Sequence, residues 1–243
     1  MSSNARPAFY ALAPGGWRDY VTLLHPPYTL WHLSYVALGA ALAPQMEWAL
    51  LGWTTLAFLL AMGIGAHALD ELNGRPLRTR IPAAVLVALA VISIAAACAI
   101  GVAVAATTTW WLVLFVAVGA FVVVAYNLEL FGGHFHGDPW FSLAWGAFPV
   151  LATYFAAAET IRVEGVLAAA FAALLSHAQR RLSTPVRLVR RRARDVSGRI
   201  ELLDGSTIDI TAETFTAESE RALRAVSAAV VCLALALVLL RVT

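Results

Sequence analysis

The chain has 243 residues, 60% of them hydrophobic and 13% charged, where a soluble domain carries about 25% charged residues. Its mean hydropathy is +0.75, and apolar runs of about 20 residues recur, which excludes a soluble globular domain and indicates an all-α, polytopic membrane helix bundle. The formal net charge of +2 excludes little, and since all 17 basic residues are arginine, what matters is where they lie. Cys98 and Cys232 fall within predicted spans, so neither a disulfide framework nor a cysteine zinc site is indicated. Nothing in the charge pattern points to a nucleic-acid partner.

Residues 1–19 are mixed and polar and lack the charged start, short apolar core and cleavage site of a secretory signal, so the first span is expected to persist. It runs from about Tyr28 to Ala43, after His25-Pro26-Pro27, where prolines can open a helix. A second span, about Trp48 to His67, leads into Asp70-Glu71-Leu72-Asn73-Gly74-Arg75-Pro76-Leu77. The third runs from about Pro82 to Ala106 and the fourth from Trp110 to Tyr126. Residues 127–139 form a loop rich in breakers (Gly132-Gly133, Gly137-Asp138-Pro139). The fifth span, Trp140 to Ala157, carries Pro149 inside it and is expected to kink there. The sixth covers Val166 to Ala178. A basic segment with a small β-hairpin near 200–210 follows, its Asp204-Gly205 suited to a type I′ turn. The hairpin is expected to pack on the bundle, since an isolated one is marginal. The last span is about Ala222 to Leu240.

About seven transmembrane helices in one 1–243 domain are therefore expected. With a cytoplasmic N-terminus, the loops at 68–80, 127–139 and 179–221 share the cytoplasmic side. Those loops hold Arg75, Arg78, Arg80 and the arginine run after span six, whereas the opposite loops hold only Arg162. This is the positive-inside pattern, and it leaves the C-terminus outside. The expected location is integral to a bacterial plasma membrane, in contact with membrane lipids.

The polar residues that could do chemistry then gather on one face. His67, Asp70 and Glu71 are i, i+3 and i+4 on a helix and share one side of it. Asn127, Glu129, His134, His136 and Asp138 lie in the next loop. His177 precedes Arg180 and Arg181, and His25 and His32 sit at the entry to span one. Ionisable groups inside membrane spans are costly and usually face a cavity. Oxygen-rich acidic sites suit Mg²⁺ with a substrate phosphate, mixed His and carboxylate sets suit Zn, Mn or Fe, and arginines can clamp phosphate in bidentate fashion. Plainer readings stand beside these. His67 can sit at the interface, Asp70 and Glu71 can be a solvated helix end, and His134 and His136 can be solvent-facing loop residues. The arginine run can set topology and touch anionic lipid.

Taken in order, these residues resemble the UbiA superfamily of intramembrane prenyltransferases, over roughly residues 20–180. Leu24-His25-Pro26-Pro27-Tyr28-Thr29-Leu30 with Gly39-Ala40-Ala41-Leu42-Ala43 looks like that family's first helix. Asp70 to Leu77 looks like its first Asp-rich motif with the following Arg-Pro-Leu. Tyr126-Asn127-Leu128 through Gly137-Asp138, then Trp145-Gly146-Ala147-Phe148-Pro149, looks like its fourth-to-fifth helix connection. The resemblance implies a helical bundle in which Mg²⁺ binds the diphosphate of a polyprenyl donor, and an acceptor captures the allylic carbocation. Carried over, it makes Asp70, Glu71 and Asp138 the catalytic carboxylates. His67, Asp70, Glu71, His134, His136, Asp138 and His177 become the candidate metal ligands, and Arg75, Asn127, Arg180 and Arg181 the diphosphate contacts. Three departures stand out: His67 takes the place of the motif's first Asn, His177-Ala178-Gln179-Arg180-Arg181 stands where a second Asp-rich motif is expected, and seven helices replace nine. A UbiA-like protein that binds a lipid or a partner without transfer chemistry is the alternative expectation.

Overall fold

A computed structural model of the chain describes residues 6–242; the first five residues of the polar N-terminal segment, and Thr243, lie outside it. The described chain is mostly helical. Its elements are α1 (Trp17–Leu23), α2 (Pro26–Leu42), α3 (Trp48–Leu72), α4 (Ala83–Thr107), α5 (Leu112–Asn127), α6 (Asp138–Ala158), α7 (Val163–Arg192) and α8 (Ala212–Leu239). Between α7 and α8 stand β1 (Ser197–Glu201) and β2 (Thr207–Thr211), paired antiparallel. Four helices, α3, α4, α6 and α8, are long and apolar enough to cross a membrane, and α5 is apolar but shorter. Large apolar side chains such as Ile92 of α4, Leu114 and Phe121 of α5, and Leu167 and Leu174 of α7 are exposed. That exposed apolar surface is compatible with an integral membrane protein.

The interior is built from two main clusters. One gathers Met62, Ala66, Leu86, Val123, Tyr126 and Trp145 between α3, α4, α5 and α6. The other packs Trp31, Tyr35 and Leu38 of α2 against Val150 of α6, Ala172 of α7 and Val230 of α8. Small residues let the backbones approach, as between membrane helices generally. A Cβ on Gly146 would lie 2.5 Å from the Ala172 carbonyl oxygen, and one on Gly39 would lie 2.5 Å from that of Val150. Backbone cannot yield as a side-chain tip can. Gly146→Ala is therefore expected to destabilise the protein by about 2 kcal/mol, measured as a lower thermal unfolding midpoint in detergent.

Two helices contain π-helical stretches, Leu59–Ala66 within α3 and Ser142–Ala147 within α6. Each adds a residue to the turn and so rotates the remainder of its helix. The first delivers His67 and Asp70 to one end of the bundle. The second ends just before Pro149, which opens the α-helical remainder of α6. The register change thus falls beside the residue that has no N–H to donate.

Four local expectations are corrected. Helix α7 does not stop near Ala178 but continues through Pro185 to Arg192, a single helix of 30 residues. Helix α8 begins ten positions before Ala222, at Ala212, where the Thr211 and Thr214 side chains form a reciprocal cap. In the hairpin, Gly205 donates to the Leu202 carbonyl and Leu202 to that of Ser206. Among the turn residues Gly205 takes positive φ, 83°, and Asp204 does not. A type I′ turn needs positive φ at both central residues, so this is a three-residue loop ending in a left-handed glycine. Nor does the hairpin pack on the bundle: β1 is exposed throughout, and in β2 Ile210 alone is half-buried. It stands clear because α7 and α8 both extend beyond their apolar segments and carry it away. Arg190 of α7 and Glu220 of α8 tie these extensions together, with Nη2 donating to Oε2 at 2.9 Å.

Candidate functional site

One large cavity, about 670 Å³, opens at the end of the bundle where α3 and α5 finish and α2 and α6 begin. The C-terminal half of α7 forms one wall, and Pro7 to Tyr10 lie across another. Its size suits a head group with part of a chain attached. Six arginines line it: Arg75, Arg78, Arg180, Arg187, Arg191 and Arg192. Among the described residues the lining carboxylates are Asp70 and Glu129, so the cavity carries a net positive charge.

The sequence explains the arginine wall. Arg180, Arg187 and Arg191 are spaced i, i+7 and i+11, which puts them on one face of a continuous helix. Arg180 is fixed by others: it pairs with Asp138, donates to the Tyr126 hydroxyl, and reaches the His136 carbonyl at 3.1 Å. Its guanidinium also sits 5.2 Å from the Phe141 ring centroid. Arg75 is likewise used, donating to the Ile81 carbonyl at 2.6 Å. Arg187 and Arg191 differ. Both are half-buried, and neither is among the ion pairs formed by the described residues. Arg187 reaches the Thr184 hydroxyl at 3.3 Å and Arg191 the Pro7 carbonyl at 3.5 Å. A partly desolvated cation without a counter-ion is expensive. Two on adjacent turns, both facing a cavity, form a ready site for an anion.

The expected site residues divide into three groups. His67, Asp70, Arg75, Asn127, His136 and Arg180 do line the cavity. Asp70 lies in the field of Arg187 and Arg191 but within ion-pair distance of neither. Asn127 donates to the Val123 carbonyl at 2.7 Å, and its own carbonyl accepts from Asn73 at 3.2 Å, linking the ends of α3 and α5. His136 bonds the Tyr126 carbonyl through Nδ1 at 2.9 Å and stacks on the Tyr126 ring.

Glu71, Asp138 and Arg181 are committed elsewhere. Glu71 is fully buried and does not line the cavity. Its Oε2 accepts from the Leu77 N–H at 2.9 Å, and its Oε1 accepts from the N–H and hydroxyl of Thr79 at 2.8 and 2.9 Å. It is the anchor of the 73–81 loop. Asp138 is held between Arg180 and Arg181, the latter at 3.5 Å and mostly exposed. His134 and His177 lie outside the cavity lining. His134 packs edge-on to Phe135, and His177 is 3.5 Å from the Ser142 hydroxyl.

The ligand set that Mg²⁺, Zn, Mn or Fe would need is accordingly not gathered. Mg²⁺ is usually bound through one or two carboxylates that also face the substrate phosphate. Here Glu71 is spent on backbone amides, Asp138 on guanidinium groups, and Glu129 is exposed on the loop beyond α5. Among the described residues no group of three or more His, Cys, Asp or Glu is placed to hold a metal ion. Of the cavity's charged side chains, six are arginines and two, Asp70 and Glu129, are carboxylates.

Three features of the cavity escape a reading by motifs. Arg187 and Arg191 look like part of a topology signal until α7 is known to continue, although their heptad-like spacing from Arg180 was visible. The segment Pro7–Tyr10 has no signal of its own. It is held by Arg191 at the Pro7 carbonyl, by Arg224 stacked 5.0 Å over the Phe9 ring, and by Tyr10 bonded to His25 Nδ1 at 2.8 Å. His25 and His32, both noted in the sequence at the entry to the first span, line the cavity as well. No family model, characterised protein or solved structure matches this chain.

Proposed function

We propose that this is a UbiA-like membrane protein that takes a polyprenyl or other lipid diphosphate into the cavity and transfers the prenyl group to an acceptor. The observation that carries the reading is the pair Arg187 and Arg191, half-buried cations facing a 670 Å³ cavity without an acidic partner. Helices α2 to α8 would be the seven spans. Arg75, Arg78 and the arginines of α7 would place this end in the cytoplasm by the positive-inside rule, with the C-terminus outside. The diphosphate would lie against Arg187 and Arg191 while the chain follows the apolar helices. As the allylic C–O bond breaks, charge builds on the leaving diphosphate. Fixed guanidinium groups stabilise that charge without reorganising. Asp138 and Tyr126 would keep Arg180 aligned for the same task. The resemblance over residues 20–180 supports the transferase class.

The test is Asp70→Asn. With the anion held by arginine, Asp70 repels the phosphate, and an effective dielectric near 20 makes that repulsion about 1–2 kcal/mol. The variant in lipid nanodiscs is expected to bind geranylgeranyl diphosphate about tenfold more tightly, and EDTA is expected to leave binding unchanged. Loss of binding in Asp70→Asn, or its abolition by EDTA in the unaltered protein, would make Asp70 a metal ligand instead.

The commitment of Glu71 and Asp138 to protein partners favours a second reading, a lipid-diphosphate binder without transfer chemistry. Tight binding with no pyrophosphate released over any acceptor panel would support it.

A further inference from the structure

The cavity lining also includes His25, which caps α2, His32 of α2 and His67 of α3. His25 and His67 stack face to face, with centroids 4.1 Å apart and planes 12° from parallel. The protonation of His67 is set by its partner. Its Nδ1 is 3.0 Å from the Gly63 carbonyl oxygen, which can only accept. Nδ1 therefore carries the hydrogen, and Nε2 presents a lone pair. At His32 the Tyr28 backbone carbonyl is the neighbouring acceptor, and a ring hydrogen turned to it leaves the lone pair on Nε2.

The Nε2 atoms of His25 and His32 are buried and have no hydrogen-bond partner among the described residues. Both residues are more than nine-tenths buried, at 8% and 6% exposure. Buried polar atoms are nearly always satisfied, and an orphan calls for an explanation. His25 Nδ1 meets the Tyr10 hydroxyl, which can donate or accept, so its orphan Nε2 can play either role. The orphan Nε2 of His32, beside the Nε2 lone pair of His67, marks a place that lacks a donor. The three do not form a metal-binding group.

We propose that these histidines form the acceptor subsite, and that its ligand is a hydroxyl-bearing molecule whose O–H donates to the Nε2 of His32 or His67. The inference rests on the transferase reading for its chemistry, though not for the binding itself. In transfer, the acceptor oxygen bonds the allylic carbon while the carbon–oxygen bond to diphosphate breaks. The bonding pair leaves with the diphosphate, the hydroxyl proton passes to Nε2, and the imidazolium later returns it to water. The arginines handle the leaving group and the imidazoles the nucleophile, so the two sets of side chains in one cavity have separate tasks.

The probes are farnesol and farnesyl methyl ether, which differ by the donor alone, titrated calorimetrically against the protein in nanodiscs. Farnesol is expected to bind about tenfold more tightly than the ether, the effect of one satisfied buried hydrogen bond. His32→Leu is expected to abolish that ratio while leaving geranylgeranyl diphosphate affinity within twofold, which also reports a folded cavity. If His32→Leu fails to fold, His67→Phe serves, since it keeps a ring to stack on His25 but has no nitrogen. Equal binding of alcohol and ether, or a ratio that survives both substitutions, overturns the subsite. Failure of the diphosphate to bind the unaltered protein would instead reject the proposed function, and the alcohol-to-ether ratio would still decide the subsite.

Discussion

Arg187→Ala is expected to weaken geranylgeranyl diphosphate binding about 100-fold. Arg187 stands between Arg180 and Arg191 on the cavity face of α7, and its nearest hydrogen-bond partner is a hydroxyl, not a carboxylate. Its guanidinium is therefore free to pair with phosphate. A charge-assisted contact of this kind is worth about 1.5–3 kcal/mol. Arg187→Lys keeps the charge but loses the planar fork, so an intermediate loss of about tenfold is expected. Arg187→Glu places a like charge against the anion and should abolish measurable binding. Affinity in the unaltered protein should also fall as salt is raised, less steeply than for an exposed site because the cavity is partly shielded. Calorimetry in nanodiscs with inorganic pyrophosphate and geranylgeranyl diphosphate separates head-group binding from tail binding. An Arg187→Ala protein that binds both within twofold of the unaltered chain would rule out the arginine wall as the anion site.

That wall shows where reading by motif runs out. The helical order was legible because apolar runs longer than the bilayer core leave little alternative. The convergence of residues 67–75, 127–138 and 179–192 on one end came from alternation of direction. What a sequence cannot display is the rotation of each helix about its own axis. Asp70 and Glu71 are neighbours in the chain and about 100° apart around the helix, so one faces the cavity and the other the loop. The π-helical stretch Leu59–Ala66 sets that rotation, and no composition rule announces it. The end of α7 was hidden for a related reason. Hydropathy falls away after Ala178, and Pro185 signals a break, yet the helix runs on to Arg192, with the Ser183 and Thr184 hydroxyls both bonding the Arg180 carbonyl one turn before the proline. The hairpin was legible from its alternation, whereas its turn type depended on φ values that Asp-Gly alone does not determine.

The carboxylates carry the same lesson about function. Three acids near one membrane face suggest a metal because a metal is the usual way to keep acids out of water together. The structure disposes of two of them differently. Asp138 neutralises Arg180, and Glu71 terminates backbone amides. A carboxylate can be buried for architecture as readily as for catalysis, and only its hydrogen-bond partners tell the two apart. With Glu71 and Asp138 engaged elsewhere, Asp70 and Glu129 face six arginines and the net charge of the lining is cationic. The cavity's chemistry is then that of its arginines.

Glu71→Ala should therefore behave as a folding variant. It leaves three donors, the N–H groups of Leu77 and Thr79 and the Thr79 hydroxyl, without their acceptor in a fully buried position. Each unsatisfied buried group costs about 1–3 kcal/mol. Water entering from the exposed Gly74 and Arg78 side would recover part of that, so a net loss of about 3–4 kcal/mol is expected. Glu71→Gln should recover part of this, because its amide oxygen can still accept from the Thr79 N–H and hydroxyl while its N–H faces the Leu77 N–H. The damage should spread to the cavity rim. Arg75 is oriented by the Ile81 carbonyl, and Arg78 by that of Arg191; both sit in the loop that Glu71 anchors. The expected signature is a thermal midpoint in detergent several degrees lower, earlier proteolysis within residues 73–81, and weaker diphosphate binding that recovers at low temperature as the loop re-forms. A Glu71→Ala protein as stable as the unaltered chain, but inactive at every temperature, would return Glu71 to the chemistry of the site.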